Sequence, residues 1–212
     1  MDESVAWFIE KRVERTIENL KKRNIEGFYV KDEAELIKKI QELIPENTMV
    51  TTGDSLTLFE TGIIDYLRNG NFVYLDKHRE GLTSDEKRKI YQQSFGVDTY
   101  LSSTNALTEE GELYNIDGNG SRVAAMIYGP EQVIIVAGIN KIVKDLEEAE
   151  KRVRQYAAPI DAKRLGKNTP CSKVGYCVDC KSNDRICNYF TIIKGQFKKR
   201  IKVIIVAKSL GY

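Results

Sequence analysis

The chain has no basic excess: 33 lysines and arginines against 31 aspartates and glutamates leave a formal charge of +2 over 212 residues. A protein that grips a phosphate backbone ordinarily shows a cationic surplus, so neither nucleic acid nor an anionic membrane is expected as partner. Long apolar runs are also missing. The longest, Val133–Ala137 and Val203–Ala207, fall far short of the ~20 residues that span a bilayer. The opening stretch MDESVAWFIEKRVERTI alternates charge with apolar residues and lacks a secretory signal's unbroken apolar core; a cytoplasmic location is expected. Histidine occurs once, as His78. Nucleophilic schemes need a histidine beside a serine or cysteine, and this one reads as a surface loop residue. Cysteine is absent before Cys171 and after Cys187. What remains is an ordinary globular composition, 42% hydrophobic and 30% charged, which excludes a disordered chain.

The hydrophobic spacing sets out alternating elements. Val5, Phe8, Ile9, Val13, Ile17 and Leu20 recur at helical steps, and Gly27–Val30 reads as a strand. Asp32 caps the next helix with Glu35 three residues on, and Pro45 follows its end. Strands are expected at 48–51, 72–75, 99–102, 133–137 and 201–207, with helices at 56–67, 84–95 and 121–128 between them. Leu113–Ile116, between two glycines, reads as an arm of a small sheet. A long helix is expected from an Asn140 cap along Ile142, Val143, Leu146, Ala149, Val153 and Tyr156, with Pro159 closing it. This alternation predicts one α/β domain over 1–212 with a mostly parallel sheet flanked by helices. The cysteine-rich residues 159–199 are read as an insertion, a flap before the last strand.

In open α/β sheets ligands collect at the carboxyl ends of the strands, and four stretches fall there. In Thr51–Thr57, Gly53 allows close backbone approach, and Ser55 and Thr57 place hydroxyls at a helix start suited to an anion; an ordinary capped turn would look the same. In Ser102–Gly111, Asn105 is a candidate ligand residue and Glu109 a candidate base or nucleophile, although paired glutamates in a turn are commonly solvated. Asp117-Gly118-Asn119-Gly120-Ser121-Arg122 makes a tight loop. There Asp117 and Asn119 would shape a pocket, and Arg122 would supply charge for a carboxylate or phosphate or simply face solvent. Lys141, after the buried strand, faces an anion or water.

The cysteines have the spacing Cys171-x5-Cys177-x2-Cys180-x6-Cys187. Four thiolates complete either a tetrahedral zinc or an iron–sulfur cluster. The order lacks the paired Cys-x2-Cys knuckles of a zinc ribbon, and its opening is nearest to the plant-ferredoxin form. Lys173, Lys181 and Arg185 would favour ionised thiols. The alternatives are zinc, four reduced thiols packing a loop, or an adventitious disulfide.

Taken together, Thr52–Thr57, the block Thr104–Leu113, the block Asn115–Ala124, the tail Arg200–Tyr212 and the cysteine segment resemble the LUD (lactate-utilisation) domain family, in particular its short clostridial-type members. The resemblance runs over nearly the whole chain. It implies a fold similar to the sugar-phosphate isomerase and CoA-transferase group (NagB/RpiA/CoA-transferase-like). It also implies a role beside iron–sulfur oxidoreductase subunits in the oxidation of small carboxylates, and it carries over no catalytic residue. The expected function is therefore a lactate-utilisation-type component of a redox system, with a small anionic ligand and an iron–sulfur cluster, alternatively zinc, on the cysteines. The rival expectations are a non-redox isomerase or acyl/CoA-transferase-like enzyme with a structural metal, and a ligand-binding subunit. Substrate and oligomeric state stay open.

Overall fold

A strand that is apolar on both faces must be covered on both, and two strands with such runs, Val133–Ala137 and Val203–Val206, organise this molecule. The computed structural model describes residues 2–212. Its strands are β1 (Glu26–Val30), β2 (Met49–Thr52), β3 (Val73–Leu75), β4 (Thr99–Ser102), β5 (Ala106–Thr108), β6 (Leu113–Asp117), β7 (Gln132–Gly138), β8 (Ile142–Val143), β9 (Tyr189–Ile193) and β10 (Ile201–Val206). Six form an all-parallel sheet in the order β1-β10-β7-β4-β2-β3. The others form a smaller sheet, β8-β5-β6-β9, whose β5–β6 and β6–β9 pairs are antiparallel.

Because side chains alternate across a strand, β7 and β10 feed two cores. Val133, Ile135, Val203 and Ile205 enter one, with Leu20, Met126 and Leu113. Ile134, Val136, Ile204 and Val206 enter the other, with Leu36, Ile40, Leu58 and Ile63. The first face is thus covered by helices α1 (Glu3–Lys22) and α6 (Ser121–Ile127) and the small sheet. The second is covered by α2 (Glu33–Leu43), α3 (Leu56–Glu60) and α4 (Ile63–Asn69). Asp2 caps α1 and Asp32 caps α2, each accepting backbone N–H bonds. The α5 helix (Ser84–Gln93) opens on a reciprocal capping box of Thr83 and Glu86.

Three expectations need correction. The helix expected over 56–67 is two helices, because the chain turns at Gly62 with φ 70°, a left-handed conformation that glycine adopts without strain. Asn140 caps no helix: its side chain bonds Leu210 and Gly211, Ile142 and Val143 pair with β5, and Asp145 caps the helix α7 (Leu146–Arg152). Nor does Pro159 end the helix. A π turn, Val153–Ala157, follows α7 and leads into α8 (Ala158–Arg164), where the proline occupies the first turn. The widened π turn before it accommodates the proline within a continuing helix. Tyr156, expected on the apolar side, is exposed, with the Arg152 guanidinium 5.6 Å over its ring. Residues 159–199 comprise most of α8, the short helix α9 (Pro170–Val174), the cysteine loop and β9.

Candidate functional site

At the carboxyl ends of β2, β4, β7 and β10 lies a cavity of about 590 Å³. Its floor depends on Gly53, where a Cβ would sit 2.6 Å from both Ser102 Oγ and Tyr100 Oη; only a residue without a side chain lets the β2 turn approach β4 so closely. Gly53 itself, expected as a ligand residue, is not among those lining the cavity. Ser55, Thr57, Asn105, Asp117, Asn119, Arg122 and Lys141 all line it. The structure therefore brings together four stretches that are far apart in the chain. Ser55 precedes α3 without capping it, and its buried hydroxyl has no hydrogen-bond partner among the described residues.

The charged residues of the Asp117–Arg122 loop are already engaged. The Asp117 carboxylate accepts backbone N–H bonds from Asn119, Gly120, Arg122 and Val123 at 3.1–3.3 Å, so it closes the start of α6 to any other anion. Arg122 donates to Asn115 Oδ1 at 2.8 Å, Asn105 Oδ1 at 2.9 Å, and the carbonyls of Ser103 and Ile116 at 3.0 Å. Its guanidinium fastens the loop after β4 to β6. Arg152 does similar work from α7, bonding the carbonyls of Asn105 at 2.7 Å and Asn140 at 3.1 Å.

Lys141 differs from both arginines. It is buried, yet among the described residues no carboxylate pairs with it; its Nζ lies 3.0 Å from Thr57 Oγ1 and 2.9 Å from Ser103 Oγ. Burial, reinforced by Arg152 and Arg122 and only partly offset by Glu60 and Asp161, pulls its pKa down to about 7. By contrast Lys77, also buried, has Asp54 as a partner at 3.1 Å. Burial lowers the Lys77 pKa, and Asp54 opposes the shift.

Two candidates lie elsewhere than the sequence suggested. Glu109 is outside the cavity, with Arg12 at 2.7 Å and Arg15 at 3.1 Å from its carboxylate, where it docks α1 onto the β5–β6 turn. His78 is no open surface residue. It is half-buried at the cavity rim, its ring edge-on to Phe59 with centroids 4.9 Å apart. Burial, aided by the charge of Lys77, lowers its pKa.

The cysteine segment forms the outer wall. Cys171 lies on α9, Cys177 and Cys180 in the loop that follows, and Cys187 just before β9. All four border one small cavity, and Cys187 also lines the large one. Burial raises the Cys187 thiol pKa to about 11, and the other three cysteines add to the rise while Arg185 opposes it. The loop is tied by Arg185, which donates to the carbonyls of Cys180 and Cys187 and to Asp179. Among the described residues, no three His, Cys, Asp or Glu side chains are gathered as a metal ion would need.

Sequence reasoning missed Ser103, which lines the cavity, and Lys77 and Arg152, which support its surroundings without lining it. Ser103 lay inside a stretch already singled out. The other two carry no local signal, because their partners Asp54, Asn105 and Asn140 come from separate segments.

A DUF162 family protein from Deinococcus radiodurans, known from its crystal structure, superposes with a TM-score of 0.52 at 17% identity, over 94% of this chain and 96% of that one. That is a likeness of fold. Ribose 5-phosphate isomerase from Plasmodium falciparum gives a TM-score of 0.34 at 15% identity, over 59% of this chain and 65% of that one. No curated protein matches the chain. The family model of the LUD domain matches residues 13–206, and the chain belongs to the LUD domain family.

Proposed function

We propose that this is a lactate-utilisation-type protein that binds a small carboxylate in the large cavity and serves a cytoplasmic redox system beside iron–sulfur oxidoreductase subunits. The cysteine segment holds its iron–sulfur cluster. One observation carries the reading: Cys187 lines both the strand-end cavity and the cavity bordered by the other three cysteines. A centre held there would stand at the wall of the ligand site.

The donor set fits such a group. Four thiols and no other metal-binding side chain border the small cavity apart from Asp179. A single tetrahedral zinc needs its sulfurs at about 3.8 Å from one another, given Zn–S bonds near 2.3 Å. The four thiols border one cavity but are not gathered around a single-ion site, so the choice of a cluster rests on the four-thiolate donor set and its spacing. A cluster bound there would exchange single electrons. The chain's own contribution is the Arg185 bonds that set the loop, the N–H of Asp179 directed at Cys177 Sγ at 3.4 Å, and burial of the Cys187 side against Ile116 and Ala158. Ser55, Thr57 and Lys141 supply the polar end of the ligand site.

Anaerobic purification followed by iron, sulfide and zinc analysis tests the reading. A brown protein with matching iron and sulfide, bleached in Cys187→Ser, is the expected result. Stoichiometric zinc without colour overturns it in favour of a non-redox isomerase or acyl-transfer enzyme with a structural metal.

A further inference from the structure

Two lysines line the strand-end cavity, the half-buried Lys167 and the buried Lys141, and the placement of Lys141 sets it apart from the cations nearest to it. Arg122 and Arg152 spend their donors on backbone and amide oxygens, Arg164 pairs with Asp161 at 2.7 Å, and Lys77 pairs with Asp54. Lys141 touches only two hydroxyls, reaching from the end of β7 across the end of β4 to the start of α3. From this geometry we infer that the Lys141 amine is a covalent site, a nucleophile that forms an imine with the carbonyl carbon of a small oxo acid or aldehyde held in the cavity.

Three features support the inference. An amine attacks a carbonyl through its lone pair, so it must be uncharged, and desolvation beside other cations is the usual way to make it so. Burial and the fields of Arg152 and Arg122 provide that here, while Glu60 and Asp161 oppose them weakly. The Ser103 and Thr57 hydroxyls lie within hydrogen-bond distance of the nitrogen and can carry the protons of the reaction. Lastly, the lysine lines a cavity with room for a small ligand.

The step balances without an oxidant. The nitrogen lone pair forms a C–N bond as the carbonyl π pair moves to oxygen, which takes a proton to give a carbinolamine. That oxygen then leaves as water with the second nitrogen proton, and a C=N bond remains; water reverses the sequence. Glu109, the base suggested by the sequence, takes no part, since it lies outside the cavity in an ion pair with Arg12.

The proposal uses the small-ligand reading of the cavity and does not need the cluster. The test is reductive trapping: the purified full chain is incubated with pyruvate or glyoxylate and cyanoborohydride, then mapped by peptide mass spectrometry. Expected is one saturable adduct located on Lys141, half-maximal near pH 7, in line with its pKa of about 7. It is lost in Lys141→Arg and formed several-fold more slowly in Ser103→Ala, both checked for folding by circular dichroism. An adduct spread over surface lysines, or no adduct on Lys141 of the unaltered protein with either probe, overturns the proposal. Running the trap on metal-loaded and metal-stripped protein separates the two readings. Trapping that persists in a protein that never held iron removes the redox reading alone, and a brown protein with no Lys141 adduct removes this one alone.

Discussion

The inner and outer walls of the cavity are built on different physical terms. The inner wall is a set of buried polar groups whose partners are backbone carbonyls, amides and N–H groups at the ends of both sheets: Arg122 bridges β6 of the small sheet and the loop after β4 of the parallel one, and Asp117 is fixed by four N–H groups of the following loop and helix start. The outer wall, the cysteine loop, is much more open. Val174, Tyr176 and Val178 are exposed, and the loop's order depends on Arg185 and on the thiols themselves. A wall fixed by the sheet is ready for its ligand in advance. A wall of thiols around a small cavity would gain stability from a metal centre if it held one.

The largest expected effect comes from exchanging the two arginines for alanine. Arg122→Ala leaves several buried acceptors without a donor and should cost about 3 kcal/mol, the usual size for breaking a buried charged network from one side. Chemical denaturation reads it directly. Arg185→Ala should change global unfolding by less than about 1 kcal/mol, while making the loop around Cys177–Cys187 markedly more sensitive to protease. Equal losses for the two variants would erase the distinction between the walls.

A smaller effect sharpens the account of the inner wall. The folded-state pKa of Lys141, about 7, lies below the ordinary lysine value of 10.5, so between these values the unfolded chain binds more protons than the folded one. Stability should therefore rise with pH across that window, with a slope from this group of at most about 1.4 kcal/mol per pH unit. The penalty is complete below pH 7. Lys141→Met should flatten the slope in denaturation curves collected at several pH values; an unchanged slope would mean the lysine stays charged.

The smallest effect is expected at Glu109. Its partners Arg12 and Arg15 are partly exposed, and such pairs contribute only about 0.2–1 kcal/mol. Glu109→Gln should shift the unfolding midpoint slightly and leave trapping on Lys141 unaltered. A loss of trapping would place Glu109 functionally in the cavity despite its position.

Much of the fold could be read from local pattern. The alternation in β7 and β10 and the cap Asp32 are properties of short windows, because a strand or a helix start is stabilised by residues within a few positions. Glycine-bearing turns at strand ends likewise marked the stretches that meet at the cavity. The short strands β5, β8 and β9 were harder to see, since two to five residues carry little periodicity and derive their stability from pairing with distant partners. Pro159 misled for a related reason: proline stops a helix only where the preceding turn cannot widen, and here the π turn before it can.

The sequence alone therefore determined the two-faced sheet, the covering helices and the family, through apolar periodicity and contiguous blocks of residues. Only the tertiary structure decided which polar groups are free to act. Arg122 and Lys141 look alike in the sequence, as cations near strand ends. Packing surrounds one with acceptors and leaves the other with two hydroxyls, 38 and 84 positions away. Charge state follows from desolvation and neighbouring fields, and those exist only once remote segments have come together.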